Sequence, residues 1–113
     1  MLSRKNRANP AEIVLAREEG RLISGPLFGL LVYDLDDSRP SRFAFIVSLK
    51  TAKKAVERNK IKRKLREVIR LKIDKIKDGK LGLFLVKKET VGRRSEEIKI
   101  AVAAILKKAG FLK

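Results

Sequence analysis

Within Lys53–Arg70, KKAVERNKIKRKLREVIR, nine of eighteen side chains are basic. Asn59, Lys62, Arg63, Arg66 and Arg70 recur at helical spacing and cover one sector of a helix. Lys60 and Lys64 point further round, and Arg58, in the first turn, can reach past the helix end. Arginine grips phosphate oxygens with a two-pronged fork or stacks on a base, lysine acts as a point charge, and an asparagine amide bonds phosphate, sugar or base edge. The chemistry on offer is recognition of a polyanion. A merely solvated face is the plainer alternative, but such faces mix both signs to gain i,i+4 pairs. Here ten basic residues between Lys50 and Arg70 meet only Glu57 and Glu67. Like charge concentrated in this way destabilises a helix unless phosphates supply the counter-charge.

The whole chain repeats that bias. Its 113 residues carry 29 Lys and Arg against 13 Asp and Glu, a net charge of +16. Nucleic acid and an anionic membrane surface both answer such a field. No stretch approaches the ~20 apolar residues of a spanning helix, and Arg4, Lys5 and Arg7 are not followed by a signal-peptide core. The expectation is a cytoplasmic protein with no membrane partner. Cys and His are both absent, which removes disulfides, thiolate metal sites, the commonest transition-metal ligand and the commonest general base. The acids are scattered over predicted helix starts and turns, so neither a metal site nor a catalytic residue is assigned to the polypeptide. Six aromatics and no Trp leave few rings for a base-stacking platform, so shape and phosphate recognition should dominate. Charge alone does not choose RNA over DNA.

The positioning elements follow from periodicity. Residues 1–8 are basic and aperiodic and read as a flexible arm, leaving one domain over 9–113. NPAE gives an N-cap at Asn9, Pro10 at the first helical position and Glu12 for a capping box, so a short helix runs from Pro10 to about Glu19 and stops at Gly20. A short strand over residues 21–23 leads to LFGLLVYDL (27–35), apolar on both faces. RFAFIVSL (42–49) alternates as a strand, and these two are expected to form an antiparallel hairpin. The basic helix then buries a stripe of Val56, Ile61, Leu65, Val68, Ile69, Ile73 and Ile76 against the sheet. LGLFLVKK (81–88) is another strand. Ser95 caps a last helix with Ile98, Ala101, Val102, Ile105, Leu106 and Ala109 in phase, and Gly110 closes it. The fold class is α+β, in the order α-β-β-β-α-β-α, with helices on a small mixed sheet.

Ala55, Val56, Arg58, Asn59, Lys62, Arg63, Arg66 and Glu67 stand in register with a signature of the protein subunit of bacterial ribonuclease P, which the chain resembles over nearly its whole length. SGPLF, SRFAFIVS and the closing KKAGFLK add to the resemblance. It implies a left-handed βαβ crossover around the signature helix, against the right-handed default. It also implies an endoribonuclease holoenzyme in which the catalytic RNA, using Mg²⁺, removes the 5′ leader from precursor tRNA. The protein would supply no catalytic side chain, bind no metal of its own and be monomeric outside the holoenzyme. By the same resemblance Arg58, Asn59, Lys62, Arg63, Arg66 and Arg70 face the RNA subunit. A cleft between the first helix and the sheet holds the leader, with Ser48 and Lys50 along its side. Where the family carries leader-contacting aromatics, this chain has Ile13, Arg17 and Leu31, so apolar contact and an arginine plane replace ring stacking. Core packing alone is the simpler account of Ile13 and Leu31. The competing functions are a general or ribosomal RNA-binding protein, which would bind many RNAs alike, and a metal-dependent nuclease, for which clustered carboxylates are lacking.

Overall fold

The computed structural model describes residues 2–113. Three helices, α1 (Pro10–Glu19), α2 (Ala55–Lys72) and α3 (Ser95–Lys108), and four strands, β1 (Arg21–Ser24), β2 (Phe28–Asp34), β3 (Arg42–Ile46) and β4 (Lys80–Val86), follow one another as α-β-β-β-α-β-α. α1 begins at a reciprocal cap: the Glu12 amide donates to Asn9 Oδ1 at 2.8 Å and the Asn9 amide to Glu12 Oε1 at 2.9 Å. It ends at Gly20, where a Cβ would stand 2.3 Å from the Ala16 carbonyl oxygen. α3 starts one residue earlier than expected, with Arg94 at the cap and Ser95 already helical.

The sheet order is β1-β2-β4-β3, which corrects the expected hairpin. β4 lies between β2 and β3, antiparallel to the first from Phe28↔Val86 to Asp34↔Lys80 and parallel to the second from Arg42↔Leu81 to Ile46↔Leu85. The connection after β2 spans two strand spacings, roughly 10 Å, and encloses the start of β4. Gly79 donates to the Arg39 carbonyl at 2.9 Å, and the Leu35 amide donates to the Gly79 carbonyl at 2.8 Å. With φ of +78° and the Asp37 carbonyl 2.5 Å from where a Cβ would sit, only glycine fits there. β3, α2 and β4 therefore form a parallel crossover unit.

This order explains why β2 and β4 are apolar on both faces. On one face Phe28, Leu30, Val32, Phe43, Phe84 and Val86 pack beneath α2 and α3, with Phe28 and Phe84 edge to face at 5.7 Å. On the other, Leu81 and Leu83 pack with Ala16 of α1, joined by Ile13, Leu31, Tyr33, Ala44, Ile46 and Leu85. The buried stripe of α2 is Ile61, Leu65, Val68 and Ile69. Val56, expected in it, is exposed, because five residues at 100° each turn it about 140° away from Ile61. Ile76 is buried but lies past the helix, bridged to Leu112.

Of residues 1–8, read as a flexible arm, the first lies outside the described residues and 2–8 lie along the outer edge of β3. Leu2 and Asn6 are buried, Asn6 Nδ2 donates to the Ser41 carbonyl at 3.0 Å, and the Ala8 amide donates to the Phe43 carbonyl at 2.9 Å. An apolar side chain and one amide anchor a segment whose charge alone reads as solvated.

Candidate nucleic-acid interface

α2 carries its cations on a firmly seated support. Leu65 and Ile69 have no exposed surface, so the direction of the flanking side chains is set by the core. Asn59, Lys62, Arg63 and Arg66 have no hydrogen-bond or ion-pair partner among the described residues. Lys62 and Arg66 are half-buried along their stems, while Asn59 and Arg63 stand in solvent. All four therefore keep their polar groups available to an incoming anion.

The other two predicted contacts of this flank are partly committed. One terminal nitrogen of Arg58 donates to the carbonyls of Ala52 and Lys53, at 2.9 and 2.7 Å. That bond closes the loop ahead of the helix, as its first-turn position allows. Arg70 donates to Glu67 through Nε at 3.0 Å and through a terminal nitrogen. The Arg70 hydrogen bond holds the Glu67 carboxyl below its usual range, and Arg70 is correspondingly harder to deprotonate. Its charge is already shared.

Arg63 also borders a groove of about 550 Å³ between α2 and α3, lined by Lys60, Lys64, Val68, Leu71 and Lys99 among others. The spacing of α2 alone gave no sign of it, since it requires α3 alongside.

The opposite sheet face holds the residues assigned to the cleft. Ile13 and Leu31 are half-buried in the apolar cluster beneath α1, so the structure brings these two together. Both serve packing and still keep exposed surface. Arg17, one turn after Ile13, is exposed. Pairing places Leu22, Leu31, Leu83 and Ala44 in one row across this face, and Ser24, Gly29, Leu85 and Ile46 in the next. α1 rests on the sheet through Ala16, its one buried residue, leaving the second row less covered: Leu85 and Ile46 are half-buried. Sequence reasoning missed these two as floor residues, although the alternation of β3 already set Ile46 beside Ala44 and Ser48. Ser48 and Lys50 are exposed past the end of β3. The Ser48 hydroxyl lies 3.1 Å from that of Thr51, which in turn donates to the Val86 carbonyl at 3.2 Å, so this loop is tied to the end of β4.

No three His, Cys, Asp or Glu side chains among the described residues come together as a ligand set. Among the described residues no helix is long and apolar enough to cross a membrane.

A basic α+β domain with an unpaired cationic helix flank on one side and a partly open apolar sheet face on the other has the surfaces of a nucleic-acid-binding protein. Comparison with known proteins narrows that class. The ribonuclease P family profile matches residues 3–110. The ribonuclease P protein component of Xylella fastidiosa strain Temecula1 is 34% identical over 103 residues, covering 91% of this chain and 74% of that protein. Its counterpart in Clostridium kluyveri is 34% identical over 105 residues, covering 91% and 92%. Among solved structures, the Staphylococcus aureus RNase P protein superposes with a TM-score of 0.85 at 21% identity, over 98% of this chain and all of that one. The Thermotoga maritima RNase P protein gives 0.81 at 23%, over 90% and 96%. The chain belongs to the ribonuclease P protein family, as a component of the holoenzyme, an endoribonuclease that processes tRNA.

Proposed function

We propose that the chain binds the catalytic RNA of ribonuclease P through the exposed flank of α2 and the 5′ leader of precursor tRNA in the groove between α1 and the sheet. Bond cleavage is left to the RNA and its Mg²⁺. The observation that carries the reading is the set of Asn59, Lys62, Arg63 and Arg66, on one side of a core-anchored helix and without partners among the described residues. Arg58 and Arg70 extend the same surface with part of their donor capacity. Phosphates of a folded RNA satisfy these groups and relieve their mutual repulsion. On the other face Leu31, Leu85 and Ile46 form an apolar floor beside a wall that carries Ile13 and Arg17 of α1, with Ser48 and Lys50 past the end of β3. A single strand fits such a groove by base–apolar contact and backbone charge rather than by ring stacking.

The test is reconstitution at low Mg²⁺ of the purified chain, a bacterial ribonuclease P RNA and a precursor tRNA. Leader removal that needs both macromolecules supports the proposal. Cleavage by the protein alone rejects it, and equal binding to unrelated structured RNAs with no gain in cleavage favours a general RNA-binding role.

A further inference from the structure

α1 forms one wall of the proposed groove, yet apolar burial holds it weakly. Only Ala16 of its ten residues is buried, against four residues each in α2 and α3. What fixes its N-terminal end is ionic. Arg42, the first residue of β3, is 4% exposed. Its Nε donates to Glu12 Oε2 at 3.1 Å, one terminal nitrogen donates to the Pro40 carbonyl at 2.9 Å and to Asp37 Oδ1 at 3.2 Å, and the other donates to Asp37 Oδ2 at 2.8 Å. Glu12 divides its oxygens: Oε1 accepts the Asn9 amide that caps α1, and Oε2 accepts Arg42. One carboxylate thus ends the helix and ties that end to the sheet. A forked guanidinium with every nitrogen engaged allows little lateral play, and the interior position shields the pair from solvent screening.

We propose that Arg42 and Glu12 are positioning residues for the groove, with Asp37 and the Pro40 carbonyl holding the Arg42 guanidinium in place. Their bond sets where α1 stands over the β3–β4 end of the sheet, and hence the gap between the helix wall and the floor at Leu85 and Ile46. The inference rests on the reading that this groove holds the leader. Neither residue needs to touch RNA, since both act through the placement of Ile13 and Arg17, on the same helix as Glu12. A shift of about an ångström in a wall can change binding of a positioned substrate severalfold or more.

The decisive variant is Glu12→Gln, because a glutamine oxygen still accepts the Asn9 amide and keeps the cap while the charge opposite Arg42 is lost. Arg42→Ala serves poorly, since it strands Glu12 and threatens folding. Holoenzymes reconstituted with wild-type, Glu12→Gln or Arg17→Ala protein are compared for affinity toward precursor tRNA and toward the same tRNA without its leader. The ratio of the two affinities is expected to fall about threefold to tenfold in Glu12→Gln, with affinity for the RNA subunit retained. An equal loss for both substrates, the mark of a purely structural role, overturns the proposal. An unchanged ratio in Glu12→Gln beside a reduced one in Arg17→Ala overturns the positioning role and leaves the groove assignment standing. An unchanged ratio in both variants overturns the groove assignment and the positioning role together.

Discussion

The two faces of the sheet hold their surfaces by different means. α2 is pressed onto one face by Ile61, Leu65, Val68 and Ile69, and its cations are displayed from a support that moves only if the core does. α1 is laid on the other face by Ala16 and pinned at its start by Glu12 and Arg42. A surface that recognises a folded polyanion by charge needs many donors in fixed register, whereas a groove for a single strand needs a defined width. On the proposed reading, the first demand is met by apolar burial and the second by a small contact area with a directional bond at one end.

Truncating the anchor of α2 separates the two designs most strongly. Leu65→Ala, at a position with no exposed surface, should lower unfolding free energy by about 2–5 kcal/mol in urea titration. An effect below about 1 kcal/mol would mean that the helix is not core-anchored. Overpacking the contact under α1 comes next. Ala16→Leu should cost about 1–3 kcal/mol and lift α1, abolishing the preference for leader-bearing substrate while leaving assembly with the RNA subunit intact. Parallel loss of both functions would show that the faces are not independent. Ile13→Phe adds a ring to the groove wall and should tighten binding of precursor over leaderless tRNA by up to about tenfold, within the range of base stacking on an aromatic. No gain would place Ile13 in the core alone.

The smallest effect is acid sensitivity. The Arg42 hydrogen bonds hold the Asp37 carboxyl below its ordinary value. A depressed folded-state value means that this contribution is complete above the unfolded-state value, about 4, and is lost as pH falls through the lower folded value. Glu67 beside Arg70 and Glu97 beside Arg93 act in the same direction. Asp37→Asn should lower the neutral plateau of a plot of melting temperature against pH toward the acid values, and so flatten the acid limb. A limb identical to the wild type would remove Asp37 from it.

Local pattern made some of this legible. NPAE gave the start of α1 because a capping box is written in four adjacent residues, and the flank of α2 followed from spacing along one helix. Strand pairing is a different kind of information. Nothing near LFGLLVYDL or RFAFIVSL reveals that LGLFLV, some thirty-five residues further on, inserts between them, so nearness in sequence suggested the wrong partner. Arg42 was passed over for a similar reason: an arginine opening a strand reads as an edge charge, and its burial depends on Glu12, thirty residues away, and on a turn that brings Asp37 back. Val56 was misplaced by phase alone. Leu2 and Asn6 were hidden by the basic residues around them.

The cationic flank of α2 is the proposed surface that meets the ribozyme. The most direct measurement is the salt dependence of affinity between the protein and ribonuclease P RNA, for wild type, Arg63→Ala, Arg66→Ala and Arg70→Ala. Loss of each unpaired arginine should reduce the slope of log K against log salt by about one unit. Loss of Arg70, already shared with Glu67, should reduce it by less. Slopes indistinguishable from wild type for Arg63→Ala and Arg66→Ala would contradict the account.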